Sequence, residues 1–254
     1  MNARHDRILA LLSRAGEVSV RDLVAEFGVT PMTIRRDLAA LERDGRVVRT
    51  HGGALMSRPG RIEFQFAERG AVREGQKRAI ALAARGLVKP GMTLSIDTGT
   101  TPLAFARAVA DLPGITVLTS SLAVAAALYP ADGIDLVLLG GMARKDGPDL
   151  YGELTEANLE QFRVDVAVIG ADAASREGLF TTAVPVARVS KAMVAGARRV
   201  MLLVDSSKFG GTAFRKFADW DDVDVAITDD GLGRSTRRWL ADAVETLEIV
   251  RVEE

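Results

Sequence analysis

Gly28-Val29-Thr30-Pro31-Met32-Thr33-Ile34-Arg35-Arg36-Asp37-Leu38-Ala39-Ala40-Leu41 holds a turn, a helix start and a two-faced helix in one stretch. Gly28 tolerates the left-handed backbone of a turn. The Thr30 hydroxyl suits a helix cap, and Pro31 suits the first helical position, where its missing N–H costs nothing. Ile34, Leu38 and Leu41 then recur at helical spacing, which predicts a helix over 31–43 with one apolar side, ended by Gly45. Working back, Leu23, Val24 and Phe27 form a second apolar helical face, and Val18-Ser19-Val20 reads as extended. Ile8, Leu9, Leu11 and Leu12 form a first helix that stops at Gly16. Working forward, Arg46-Val47-Val48-Arg49 is strand-like and His51-Gly52-Gly53 is a turn. Three short helices followed by a β-hairpin predict a winged helix-turn-helix domain over 1–57.

In such a domain the third helix must be fixed from behind while its leading end reaches base edges in the major groove. Ile34, Leu38 and Leu41 are expected to pack on Phe27, Leu23 and Leu12. Thr30, Pro31, Met32, Thr33, Arg35 and Arg36 are then left at the leading end. Arginine can pair bidentately with guanine, and threonine hydroxyls and first-turn amides suit phosphate. On the wing, Arg46 and Arg49 are candidates for backbone phosphate, and His51 joins the candidate DNA contacts. Asp37 is expected to serve as an internal partner of a neighbouring arginine and not as a base contact. Residues 1–57 hold nine arginines against seven acids, within a chain of net charge −1. Spacing and charge alone would also fit a small helical cap with a solvated arginine face.

Composition narrows the rest. A chain of 254 residues, 48% hydrophobic and 26% charged, is an ordinary globular protein long enough for two domains. It has no cysteine, and its two histidines, His5 and His51, lie near the N-terminus. Disulfides, thiolate metal sites and thiol nucleophiles are excluded, and no metal, cofactor or catalytic residue is expected. Met1–Arg7 is polar and the apolar runs are short, so neither a secretory leader nor a membrane span is expected, and the location read from this is cytoplasmic.

Residues 58–76 are polar and rich in Arg and Glu, and read as a linker. From 77 to 254 the pattern is α/β. Strands are expected at Thr93–Asp97, Ile115–Thr119, Ile134–Leu139, Val164–Ile169, Val200–Val204, Val223–Thr228 and Glu248–Val252. Helices are expected at 77–87, 101–111, 121–129, 186–198 and 234–243. Continuous apolar strands separated by helices indicate a mostly parallel sheet covered on both faces. In such sheets ligands settle where strands end and helices begin. Asp97-Thr98-Gly99-Thr100-Thr101 stands at such a junction, with glycine for close backbone approach and hydroxyls as donors. It lacks the lysine and spacing of a nucleotide-triphosphate loop. A plain strand-to-helix turn with capping threonines is the rival reading. Ser120 and Ser121, Gly140 and Gly141, and Asp172 follow other strands, and Lys208 follows a fifth, where it offers a point charge to a phosphate or is an ordinary surface lysine.

The residues also carry a family resemblance. Thr33-Ile34-Arg35-Arg36-Asp37-Leu38 and His51-Gly52-Gly53-Ala54, at their spacing from Phe27-Gly28-Val29-Thr30, resemble the N-terminal domain of DeoR-family bacterial regulators. Glu63, Phe66 and Arg69, Lys77-Arg78-Ala79-Ile80-Ala81, Asp97–Thr101, Leu139-Gly140-Gly141, Ile169–Asp172 and Asp205–Gly210 resemble that family's C-terminal sensor, which is similar in fold to ribose-5-phosphate isomerase. The resemblance implies that Arg35 and Arg36 contact double-stranded operator DNA. It also implies a phosphorylated sugar or polyol effector, with its phosphate on 98–101 and Lys208. A homo-oligomer, dimer or tetramer, is expected because one winged helix makes few base contacts. Two departures stand out. Ala183-Val184-Pro185-Val186-Ala187 replaces a segment where these regulators carry Asn and Glu. Ile169 stands where the isomerases carry an Asp, and 178–187 contains no acid, which leaves Asp172 as the candidate base. Isomerisation needs a positioned carboxylate. Asp97 is a possible substitute, but a strand-end Asp beside a Gly/Thr loop is read as a sugar-hydroxyl ligand or a loop cap, so the reading is a regulator, not an enzyme. Repressor and activator, and pentose, hexose and glycerol skeletons, are not separated by these residues.

Overall fold

The computed structural model describes residues 3–50, 52–57, 66 and 68–252. His51 and Glu63 lie outside the described residues, as does most of the segment 58–67. The chain forms two compact units, one of residues 1–71 with 145–147 and one of 72–144 with 148–254.

In the first unit, α1 (Ala3–Ala15), β1 (Glu17–Ser19), α2 (Val20–Phe27) and α3 (Pro31–Arg43) are followed by β2 (Val47–Arg49) and β3 (Gly53–Met56). Val20 opens α2 and does not extend β1, because Ser19 caps the helix by accepting a 3.0 Å hydrogen bond from the Asp22 amide. Gly28 (φ 62°) closes α2, and Thr30 caps α3 by accepting from the Thr33 amide at 3.2 Å. Ile8, Leu9, Leu12, Leu23, Ile34, Leu38 and Leu41 form one buried cluster. The wing is a three-stranded antiparallel sheet in the order β1-β3-β2, with Val18 opposite Ala54 and Val48 opposite Leu55. Gly53 has a specific reason to be glycine: a Cβ there would lie 1.9 Å from the Val18 carbonyl oxygen.

The second unit is built on seven parallel strands, β4 (Thr93–Ile96), β5 (Ile115–Thr119), β6 (Ile134–Leu138), β9 (Val164–Ile169), β12 (Ala197–Leu203), β14 (Val225–Asp229) and β15 (Thr246–Val250). Their order across the sheet is β15-β14-β12-β9-β4-β5-β6. The chain therefore winds outward in one direction from β4 and in the other from β9. The covering helices are α4 (Glu74–Arg85), α5 (Thr100–Val109), α6 (Leu122–Leu128), α7 (Glu153–Glu160), α8 (Val184–Ala195) and α9 (Arg234–Ala243). β4, β5, β9, β14 and the Val200–Leu203 part of β12 are almost wholly buried, as continuous apolar strands require.

Several elements depart from the expected pattern. Residues 197 and 198 belong to β12, not to the preceding helix, which ends at Ala195 before Gly196. The last strand lies two residues earlier than expected. The two-stranded pair β7 (Met142–Ala143) and β8 (Leu150–Tyr151) and helix α7 were not anticipated. Nor was a small antiparallel sheet of β10 (Ala173–Ser175), β11 (Gly178–Thr181) and β13 (Arg215–Ala218). Among the described residues, no helix is long and apolar enough to cross a membrane.

Candidate functional site

In the first unit, α3 turns Ile34, Asp37, Leu38 and Leu41 inward. Thr30, Pro31, Met32, Arg35 and Arg36 are exposed along its leading end, and Thr33 is half-buried. Asp37 is paired internally, but with α1 and not with its neighbours: it accepts from Arg4 Nε at 2.6 Å and lies 3.2 Å from His5 Nε2. Burial works against its charge, yet the hydrogen bonds from Arg4 and His5 outweigh burial and hold its carboxyl below the usual range. This pairing fixes α1 to α3 and keeps an acid from facing a DNA backbone. On the wing Arg46 is half-buried, whereas Arg49 is exposed and takes part in a 3.9 Å ion pair with Glu42 of α3. The wing and the third helix are thus linked through the Arg49 side chain.

In the second unit the sheet reverses its winding between β4 and β9, and the crevice beyond the carboxyl ends of these strands is where an open α/β sheet binds ligands. The Asp97–Thr101 loop leaves β4 there, facing Gly170 beyond β9. Gly99 adopts φ 124°, a backbone that side chains resist, and α5 begins directly after it with no side-chain cap. An uncapped first turn flanked by the Thr98, Thr100 and Thr101 hydroxyls is suited to an oxyanion.

The carboxylates around the loop are all engaged. Asp97 is buried, accepts from the Thr98 amide at 2.7 Å and from the Ser190 hydroxyl at 3.0 Å, and burial raises its pKa to about 7 against those bonds. Asp149 accepts two 2.8 Å bonds from Arg144 and one of 3.4 Å from the Thr98 hydroxyl. Asp172 accepts from the Thr181 hydroxyl and from the Thr182 amide and hydroxyl at 2.8–2.9 Å. The residue left as a possible isomerase base is therefore held by donors of β11 and the loop that follows it.

The other expected residues separate. Ser120 and Ser121 lie beside the loop: the Leu150 amide donates to the Ser120 carbonyl at 2.8 Å, and Ser121 bridges to Asp149 while capping α6. Gly140 and Gly141 follow the edge strand β6, two strands from β4, and are packed against α7. A Cβ on Gly141 would lie 2.0 Å from Thr155 Oγ1. Lys208 follows β12, two strands away on the other side, in a segment anchored by Phe209 stacked on Trp220.

Arg144, Asp149, Thr181, Thr182 and Ser190 were missed by the sequence reading. The Arg-Lys-Asp-Gly-Pro-Asp run over 144–149 is a turn signal that hides a paired Arg and Asp. The departure at 183–187 shows in the start of α8. Ala183 occupies the cap position without a side-chain hydrogen bond, Pro185 stands in the first turn, and Val184 is exposed.

A winged helix-turn-helix joined to a mostly parallel α/β unit with an anion-suited crevice defines the class of DNA-binding transcriptional regulators. Residues 4–59 match the DeoR-like helix-turn-helix domain, and residues 73–230 match the DeoR C-terminal sensor domain. The chain belongs to the DeoR family. It is 35% identical over 232 residues to a putative aga operon transcriptional repressor of Escherichia coli O157:H7, covering 90% of this chain and 86% of the relative. It is 34% identical to the glycerol-3-phosphate regulon repressor of Escherichia coli K12, covering 89% of this chain and 90% of the relative. It is also 34% identical to the lactose phosphotransferase system repressor of Lactococcus lactis, covering 89% and 90%. Among solved structures, ribose 5-phosphate isomerase A of Methanocaldococcus jannaschii is similar at a TM-score of 0.40 and 24% identity, over 54% of each chain.

Proposed function

We propose that this regulator is an operator-binding repressor of a sugar or polyol catabolic operon, released from DNA by a phosphorylated intermediate of that pathway. The observation that carries the effector half is the Asp97–Thr101 loop: an uncapped helix start with three hydroxyls, at the point where the sheet reverses direction. Arg35 and Arg36 are the proposed base readers, with Thr30, Pro31, Met32 and Thr33 at the helix start and Arg46 and Arg49 on the wing against phosphate. The relatives named above are repressors of carbohydrate or glycerol-3-phosphate systems, which supports the repressor sign and the class of effector. A homo-oligomer is proposed for the same reason of contact number: paired half-sites raise affinity and specificity together.

The test is fluorescence anisotropy on a labelled fragment from upstream of the neighbouring operon, titrated with a panel including glycerol 3-phosphate, ribose 5-phosphate and hexose phosphates. One of these should lower DNA affinity. Thr100→Val should keep operator binding and lose the response. If Thr100→Val and Lys208→Ala both respond like the parent, the phosphate site is elsewhere. If no promoter fragment is preferred at low salt, the DNA assignment is wrong.

A further inference from the structure

The Asp97–Thr101 loop carries hydroxyls and amides but no cation of its own. The strand-end lysine Lys208 follows β12, two strands away from β4. A cation is linked to the loop through one intervening carboxylate: Arg144, from the connection between β7 and β8, pairs with Asp149, which the Thr98 hydroxyl also meets. Its guanidinium is largely buried, with 14% of the side chain exposed, and grips both oxygens of Asp149 at 2.8 Å. The Arg144 amide also donates to the Asp149 carbonyl at 2.9 Å, so the two ends of the connection are latched together. The buried Asp149 carboxylate in turn accepts from the Thr98 hydroxyl.

One carboxylate thus holds, at the same time, a guanidinium fork and a hydroxyl of the anion-suited loop. Those are the contacts that a phosphate or carboxylate group would seek, since Arg pairs with either in the same two-pronged geometry. An anion on the loop would also sit close to the Asp149 carboxylate, which the Thr98 hydroxyl already meets. Like charges that close, away from water, cannot both keep their places without an added cation.

We propose that Arg144 is an anion-binding residue of the effector crevice, and that Asp149 is its built-in competitor. The effector's anionic group takes over the guanidinium fork and Thr98, and Asp149 is displaced from both. The inference rests on the phosphorylated-effector reading above and adds the charge partner and the regulation of that site. It also gives Asp149 a role that opposes binding, which a merely structural salt bridge would not have.

The experiment is isothermal titration of the full chain with inorganic phosphate, glycerol 3-phosphate and ribose 5-phosphate, for the parent, Arg144→Gln, Arg144→Lys and Asp149→Asn. Removing the fork should weaken the best of these ligands by about tenfold or more, the weight of a charge-assisted hydrogen bond pair. Arg144→Lys should recover part of the loss. Asp149→Asn should bind more tightly than the parent, by about threefold or more, because the competing charge is gone. Circular dichroism of each variant separates folding from binding, and Arg144→Lys keeps the test alive should the Gln variant unfold. Equal binding by the parent and by folded Arg144→Gln or Arg144→Lys overturns this proposal and leaves the effector reading standing. Weaker binding by folded Asp149→Asn overturns the competition. A parent that binds none of the three ligands overturns both readings.

Discussion

Asp97 shows how a single residue in the crevice ties stability to pH. Burial raises its pKa from an ordinary 3.8 to about 7, despite hydrogen bonds from the Thr98 amide and Ser190. Between those two values the native chain keeps a proton that the unfolded chain has lost. Stability from this group is therefore greatest at low pH and falls as pH rises towards about 7. Asp97→Asn mimics the protonated form: its carbonyl still accepts from the Thr98 amide, and its NH2 can donate to the Ser190 hydroxyl. The variant should lose the downward slope across that window, measured as urea midpoints against pH. An unchanged slope would mean that the retained proton sits on another group. Nothing in the sequence flagged this, because burial and the Ser190 contact, 93 positions downstream, are properties of the folded chain.

At the scale of elements, what the sequence showed and what it hid follow a physical rule. The winged domain was legible because its signals are local: Ser19 and Thr30 cap helices, Gly28 turns the chain, and Ile34, Leu38 and Leu41 repeat on one face. The parallel strands were legible because a strand buried on both sides must be apolar throughout. The small sheet of β10, β11 and β13 was not, because its strands are three or four residues long and β11 finds β13 only across a long stretch of chain. Helix α7 was missed for want of a clear apolar stripe: Thr155 and Leu159 alone are buried in it. Arg144 and Asp149 were hidden in turn-forming sequence, and their pairing exists only once β7 and β8 have met.

Two predictions belong to helix ends. Arg35, exposed at the leading end of α3, should read a base: Arg35→Ala should relax sequence preference by about 1–3 kcal/mol at one operator position. Footprints identical to those of the parent would assign recognition to another side chain. At α8 the cap position is held by Ala183, whose backbone (φ −111°, ψ 119°) is already extended as a capping residue requires. Ala183→Ser should therefore stabilise the chain by about 0.5–1 kcal/mol in urea unfolding. A loss of stability would show that the apolar start of α8 is needed as it stands.

Across the whole molecule, the division into two compact units separates two kinds of response. A ligand that binds only the native form stabilises the part it binds, by about 2.7 kcal/mol at a hundredfold excess over its Kd. Calorimetry with a saturating effector should move the transition of the sensor unit, and Thr100→Val should abolish that movement. The transition of the winged unit should instead follow operator DNA. That DNA affinity should fall steeply with salt, because the arginines on α3 and the wing displace counterions from phosphate. Salt-independent binding would exclude the proposed phosphate contacts.

The aromatic cluster of the sensor unit has one more consequence. The chain contains two tryptophans, and both belong to this cluster: Trp220 and Trp239 meet edge to face with ring centroids 5.2 Å apart, and Phe209 is stacked beside Trp220. The tryptophan emission of the protein, excited selectively at long wavelength, therefore arises from a single spot, next to the turn that bears Lys208. Metabolites can be screened against the unlabelled regulator by its native glow, with no contribution from the DNA-reading half.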